Sequence, residues 1–182
     1  MQGEEVVANF QAGWREDVLS IFPPAPGLSP DAEGYLKQVQ DRYVADAYNS
    51  LSIEGYQVNA ELIERVRSGN WNPDTNESDR QNRDALAARG YWQAFQAVKQ
   101  SVGKVLAGDN AGSVAYRDYD NWYRELFGPS VSAGLVKPGD LAGLRNGPVF
   151  IRLSMHVPPR AEAVGELMPA FFQLLETINN LP

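Results

Sequence analysis

The fold is decided by a run that begins at Ser29 and ends at Gly55, SPDAEGYLKQVQDRYVADAYNSLSIEG. Ser29-Pro30-Asp31 is typical of a helix start, because serine caps helix N-termini and a proline at the first helical position lacks only an N–H that would stay unbonded. Apolar residues then recur at intervals of three and four: Tyr35, Leu36, Val39, Tyr43, Ala47 and Leu51. This spacing predicts one helix that runs to about Ile53 and buries one face.

Gly55 is predicted to end this helix, since glycine takes the left-handed conformation of a helix terminus without steric cost. Glu54 then lies on the last turn or at the cap. A carboxylate there faces the negative end of the helix dipole, which costs about 0.3 to 1 kcal/mol at an exposed site. We therefore expect a cation beside Glu54, preferably an arginine that binds the carboxylate through two hydrogen bonds.

Outward from this run, the apolar spacing predicts five further helical segments, at residues 4–22, 59–69, 78–106, 116–127 and 164–178. The first is read as an arm that packs on the body of the protein or binds a partner. Gly128-Pro129 is expected to close the fourth, whose aromatic stripe fits core packing better than base stacking. Pro169 is expected to kink the last helix or to mark a late start.

One strand is predicted, at Val149-Phe150-Ile151-Arg152-Leu153, where β-branched and aromatic residues cluster between turn residues. A single strand must pair. We expect either a hairpin with a neighbour such as residues 141–145 or an open edge that receives another chain. The residues alone thus predict an all-α protein with one β-hairpin.

Composition narrows the possible functions. The 182 residues carry 23 acidic and 16 basic side chains, a formal charge of -7, which argues against nucleic-acid binding because that depends on clustered lysine and arginine. No apolar run approaches the roughly 20 residues that cross a bilayer, and the N-terminus is acidic where a secretory signal would be basic. With no cysteine, disulfides and thiolate metal sites are excluded. We expect a cytoplasmic protein that binds neither nucleic acid nor membrane.

Catalytic patterns are scarce. His156 is the single histidine, and beside prolines at a strand end it is interpreted as structural. Glycine-rich phosphate loops are absent, and Gly108-Asp109-Asn110-Ala111-Gly112 is interpreted as a plain turn because no lysine follows it. The residues alone nominate no catalytic or metal site.

Two stretches together resemble the Fic family of protein adenylyltransferases. Ser50-Leu51-Ser52-Ile53-Glu54-Gly55 resembles the family's inhibitory signature, (Ser or Thr)-x-x-x-Glu-(Gly or Asn), and Gly147 to Pro159, which ends in His-Val-Pro-Pro, resembles its flap hairpin. The resemblance spans roughly residues 35–175. It implies a Fic-type helical fold with a flap, incomplete at its C-terminus: an arm at 1–28, a region with the inhibitory helix at 29–76, and the first part of the core at 77–182.

The resemblance also implies a mechanism. Ser50, Glu54 and Gly55 would form the inhibitory motif, with Glu54 binding the arginine that otherwise grips the γ-phosphate of ATP. The flap residues would bind a segment of the target protein by strand addition; they are Val149, Phe150, Ile151, Arg152 and Leu153. The complete family protein uses ATP and Mg²⁺ to transfer AMP to a Ser, Thr or Tyr hydroxyl.

The family's catalytic loop, His-Pro-Phe-x-(Asp or Glu)-Gly-Asn-x-Arg, does not occur in these residues. We therefore expect no bound cofactor and no AMP transfer from this chain alone, whether it is a shortened chain, a proteolytic core or a gene fragment. The alternatives are an antitoxin-like module that inhibits a Fic enzyme in trans, or an unrelated helical adaptor. Because the last helix would lack its packing partners, we also expect self-association.

Overall fold

The computed structural model describes residues 17, 20–24, 26–71, 82–141 and 143–179. Within these ranges the protein is all-α, as predicted: six α-helices, one 3-10 turn and no β-strand. The chain divides into two compact units, one formed by residues 29–143 and the other by the residues before 29 together with those from 144 onward. In the described residues no helix combines the length and apolar character that crossing a bilayer would require.

The helices are α1 (Ala32–Asp41), α2 (Tyr43–Ile53), α3 (Ala60–Arg67), α4 (Arg83–Leu106), α5 (Ala111–Ser132) and α6 (Ala161–Asn179), and the 3-10 turn is Pro138–Leu141. The first five helices and the turn belong to the unit of residues 29–143, and α6 belongs to the other unit. Of the predicted N-terminal arm at 4–22, only Asp17 and residues 20–22 lie within the described part, and Asp17, Ser20 and Ile21 are helical.

The helix predicted from Ser29 to Ile53 differs from expectation in two respects. Its N-cap is Asp31, whose Oδ1 accepts a hydrogen bond of 2.8 Å from the Gly34 N–H. Ser29 does not cap it, because its hydroxyl donates to the Asp31 carbonyl instead. The helix is also interrupted at Arg42, whose N–H donates to the Val39 carbonyl three residues back, so that α1 and α2 are separate.

The core of this unit is centred on α2. Tyr43, Ala47 and Leu51 are buried at successive turns, as the sequence spacing predicted, whereas Tyr35 of α1 is exposed. The Tyr43 ring lies edge-on to Trp92 and Phe95 of α4, with ring centroids 4.6 and 5.0 Å away. The remaining buried apolar residues of the unit are Ile63, Val66, Trp71, Ala85, Leu86, Ala88 and Val114.

α4 and α5 form a long helical hairpin around the turn at residues 107–110. One prediction about α5 is wrong, and another holds only in part. The helix does not close at Gly128-Pro129 but continues to Ser132, with Pro129 buried inside it. The aromatic stripe packs only in part, since Tyr116 and Tyr123 are exposed.

The segment from 145 to 160 contains no strand, so the predicted hairpin is wrong. Residues 149–151 are irregular, and Leu153 lies in a turn with φ +60°. The neighbour expected to pair with it is not extended, since Leu141 belongs to the 3-10 turn and residues 143–144 form a bend. Without a partner strand, the β-forming side chains have no ladder to join.

Arg145 closes this segment into a loop. Its Nη1 donates a hydrogen bond of 2.8 Å to the Gly147 carbonyl, and its Nη2 donates to the Pro159 carbonyl. One guanidinium therefore holds both ends of the loop of residues 147–159. α6 follows and runs through Pro169 without ending there.

Candidate functional site

Gly55 ends α2 as predicted, with φ +83°. Its N–H donates to the Ser52 carbonyl at 3.0 Å, and the Tyr56 N–H donates to the Leu51 carbonyl at 3.0 Å, the hydrogen-bond pair of a Schellman terminus. Glu54 is the C-cap residue. The backbone of residues 51–56 is thereby fixed, and the Glu54 side chain starts from a defined position at the end of the helix.

Ser50 and Glu54 line one cavity, together with residues of α4 and α5. The cavity has a volume of about 590 Å³. Its walls are mainly apolar side chains and two tyrosine rings. The described residues that line it are Ser50, Leu51, Ile53, Glu54, Tyr56, Ala87, Tyr91, Leu126, Phe127 and Ser130. Residues one turn apart on α2 thus share a face, as their spacing implied.

A hydrogen-bonded chain ties the α2 side of the cavity to α4. The Tyr91 hydroxyl donates to Asp46 Oδ2 at 2.6 Å and lies 3.1 Å from Ser50 Oγ. A phenol hydroxyl has one proton, and Tyr91 uses it in the hydrogen bond to Asp46. The Ser50 hydroxyl is therefore the donor in the second hydrogen bond, and the Tyr91 oxygen accepts it. Burial, with the Asp46 hydrogen bond second, raises the pKa of Tyr91 above its usual value. Tyr91 therefore remains a neutral phenol at physiological pH and does not act as a base.

Glu54 gives the cavity its charge. It is the charged member among the described lining residues, and no arginine or lysine of the described chain lies within ion-pair distance of it. The Arg83 guanidinium lies over the Tyr56 ring, 5.0 Å from its centroid. The cation that we expected beside Glu54 is thus not found in the described part of the chain. The Glu54 side chain is exposed, so water solvates the carboxylate.

The predicted flap residues belong to the other compact unit, residues 144 onward, and not to the unit that holds Ser50 and Glu54. Phe150 and Leu153 are exposed, at 82% and 99% of their surface, and so are Val149, Ile151 and Arg152. Their exposure leaves these side chains available to another molecule.

Potential metal ligands are not clustered in the described part of the chain. Within the described ranges, no three or more His, Asp or Glu side chains come together in a way that could hold a metal ion. His156 lies in the 147–159 loop, exposed, with its N–H bonded to Ser154 Oγ at 3.1 Å.

Sequence reasoning missed part of the site. Asp46 precedes Ser50 by four residues, so its place on the same helical face was available from spacing alone. Tyr91, as an alternative to Trp92, lies on the apolar stripe of the predicted helix at 78–106, and Leu126 and Phe127 lie on the aromatic stripe of the predicted helix at 116–127, which was expected to pack in the core. Their position at the cavity depends on how α4 and α5 pack against α2, which local spacing does not encode.

No family model, no curated protein and no solved structure matches this chain.

Proposed function

We propose that this chain is the regulatory part of a Fic-type protein adenylyltransferase, in which Glu54 restrains AMP transfer by binding an arginine of the catalytic part. The observation that carries the proposal is the position of Glu54. An exposed carboxylate stands at a rigid helix end, on the same cavity as Ser50, and no cation of the described chain pairs with it. An arginine of the catalytic part would bind this carboxylate through two parallel hydrogen bonds.

The C-terminus of α2 is electrostatically favourable for a guanidinium group. The last carbonyls of α2 carry a partial negative charge that adds to the Glu54 carboxylate, and cations are stabilised at helix C-termini by about 0.3 to 1 kcal/mol. An arginine can bind a carboxylate through two parallel hydrogen bonds. A charged hydrogen bond contributes roughly 1.5 to 3 kcal/mol, about 10- to 150-fold in an equilibrium. This range suits reversible restraint of an enzyme.

The chemistry of AMP transfer lies outside these residues. The single histidine is His156, and no His-Pro-Phe-x-(Asp or Glu)-Gly-Asn-x-Arg loop occurs in the sequence. ATP and Mg²⁺ are therefore assigned to the catalytic part, and this chain supplies Ser50 and Glu54. The catalytic part is either joined to this chain in one polypeptide or meets it as a separate protein.

The exposed residues 149–153 are proposed to receive the target protein. Their side chains are β-forming and their backbone is in no ladder, so strand addition would require the loop, including the turn at Leu153, to become extended on binding. Arg145 holds the two ends of the loop together, which limits the conformations that the loop loses on binding.

The test combines the purified chain with an active Fic enzyme that has no inhibitory motif of its own. AMP transfer from labelled ATP is measured with the chain added in trans and with the chain fused through a Gly/Ser linker, which gives mM effective concentrations. We expect the wild-type chain to inhibit transfer, and Glu54→Gln to weaken inhibition by about tenfold or more.

The matched control is Glu61→Gln, because Glu61 is an exposed carboxylate on α3 and its loss changes the net charge equally. This variant should inhibit as the wild type does. Full enzyme activity with both the added and the fused wild-type chain would refute the regulatory role. Equal inhibition by Glu54→Gln would remove Glu54 from it.

A further inference from the structure

The cavity beside Glu54 has a shape and a charge that define a class of small ligand. We propose that it binds an organic cation, a primary ammonium group carried on an apolar body. This goes beyond the proposed function, in which Glu54 pairs with an arginine of a protein. The ammonium group would lie against Glu54 at the end of α2, and the apolar body would enter between α2, α4 and α5.

The walls favour an apolar body. Leu51, Ala87, Leu126 and Phe127 supply aliphatic and aromatic surface, and the volume of about 590 Å³ falls in the usual range for small-molecule sites. Each methylene that the walls remove from water is expected to tighten binding by up to about fourfold. Affinity should therefore rise along a series of n-alkylamines until the chain fills the cavity.

The polar groups favour a donor rather than an acceptor. Glu54 can only accept hydrogen bonds, and the protons of Tyr91 and Ser50 are engaged with Asp46 and with the Tyr91 oxygen. The Tyr56 and Ser130 hydroxyls can donate or accept, so they favour neither kind of ligand and the Glu54 charge sets the preference. An ammonium group has three donors and no acceptor. A carboxylate or phosphate ligand would meet the Glu54 charge and find no lysine or arginine among the described lining residues.

Three probes of similar length separate charge from shape: 4-phenylbutylamine, 4-phenylbutanol and 4-phenylbutyrate. Each is titrated into the 182-residue protein at pH 7 and low salt, and the dissociation constant and the shifted backbone amides are read by NMR. We expect the amine to bind about two- to fivefold tighter than the alcohol, the effect of an ion pair at an exposed carboxylate. The butyrate should bind more weakly than the alcohol.

Glu54→Gln should bring the amine and the alcohol to equal affinity while both still bind. Glu61→Gln has the same net charge and should keep the wild-type preference, which excludes general attraction to a protein of charge -7. The amide shifts should centre on Ala87, Tyr91 and Phe127. Equal affinity of the three probes for the wild type, a preference that survives Glu54→Gln, or shifts confined to other residues would overturn the proposal.

The two proposals fail separately. Amine binding to a chain that inhibits no Fic enzyme would leave the ligand site standing and remove the regulatory function. Inhibition that depends on Glu54, without any preference for the amine in the isolated chain, would support the regulatory function and remove the ligand site.

Discussion

Asp118 joins α4 and α5 through two hydrogen bonds. The buried Ser101 hydroxyl donates to Asp118 Oδ2 at 2.6 Å, and Lys104 Nζ donates to the same oxygen at 2.7 Å. The Trp122 indole N–H donates to Ser101 Oγ at 3.1 Å and completes the chain. A single carboxylate thus satisfies two donors of α4 and, through Ser101, orients the Trp122 indole.

The charge on Asp118 should make this contact dependent on pH. The hydrogen bond from Lys104, followed by that from Ser101, lowers the pKa of Asp118 below its usual value. A depressed folded-state pKa stabilises the fold above the unfolded pKa, and this stabilisation is lost as the pH falls through the folded pKa. We therefore expect Asp118→Asn to lower the free energy of unfolding by about 1 kcal/mol at pH 7.

Urea unfolding at pH 7 and at pH 3 measures the effect. The gap between wild type and Asp118→Asn should be smaller at pH 3, because the wild-type carboxyl gains a proton as the pH falls through its lowered folded-state pKa. Asp41→Asn is the control, since Asp41 is exposed at the end of α1. A gap of the same size at both pH values would show that the charge of Asp118 contributes nothing.

At the scale of elements, the hairpin of α4 and α5 depends on one close approach. Gly90 is buried in the middle of α4, and a β-carbon added there would lie 1.9 Å from the Leu126 carbonyl oxygen of α5. No side chain fits in that space, and the obstacle is backbone. Leu126 also lines the cavity, so this contact helps to set its depth.

Gly90→Ala should therefore destabilise the protein, although alanine is the better helix former by about 1 kcal/mol. The backbones must separate to admit the methyl group, and overpacking of this kind typically costs about 1 to 3 kcal/mol. The control lies on the same helix: a β-carbon at Gly103 meets only Leu36 Cδ1, at 3.8 Å. Gly103→Ala should be neutral or stabilising by up to about 1 kcal/mol.

Chemical denaturation of the two variants measures their free energies of unfolding and so tests whether the close approach at Gly90 exists in solution. Opposite signs are expected from the same substitution within one helix. Equal changes in the free energy of unfolding would show that the close approach at Gly90 does not hold in solution.

The elements differ in how far sequence predicts them. The start of α3 at Asn59 and the end of α2 at Gly55 were predictable, because a cap and a positive φ depend on the local backbone. Pro129 was misread, since its burial within α5 offsets the usual cost of proline in a helix, and burial is a tertiary property. The strand at residues 149–153 failed because β-forming side chains need a partner strand that the described chain does not supply.

The site divides in the same way. The common face of Ser50 and Glu54 follows from four-residue spacing on one helix, and the structure bears it out. Tyr91 and Phe127 lie on α4 and α5, which begin at Arg83 and Ala111, well after α2 ends at Ile53, so their position at the cavity depends on helix packing. Local sequence predicted a cation beside Glu54, and the described residues place none there. Whether a cation reaches Glu54 depends on tertiary packing, which local sequence does not show.

At the scale of the whole molecule, exposed large apolar side chains are frequent among the described residues after 144. Large apolar side chains of the 147–159 loop are exposed to solvent. Among the most exposed are Phe150, Leu153 and Met155, at 82%, 99% and 98%. On α6, Phe171 and Ile178 are also exposed. Large exposed apolar side chains grouped in one segment are typical of interaction sites when they form a patch.

We therefore expect the isolated protein to self-associate through this loop. Sedimentation velocity should give a sedimentation coefficient that rises with concentration for the wild type. Leu153→Asp combined with Met155→Asp should weaken association by about tenfold or more, since burial of one large apolar side chain contributes about 1.5 to 3 kcal/mol. Leu135→Asp, at an exposed apolar position of the other unit, should leave it unchanged. A monomer at every concentration would show that this surface does not bind a second copy and would leave the target segment as its remaining proposed partner.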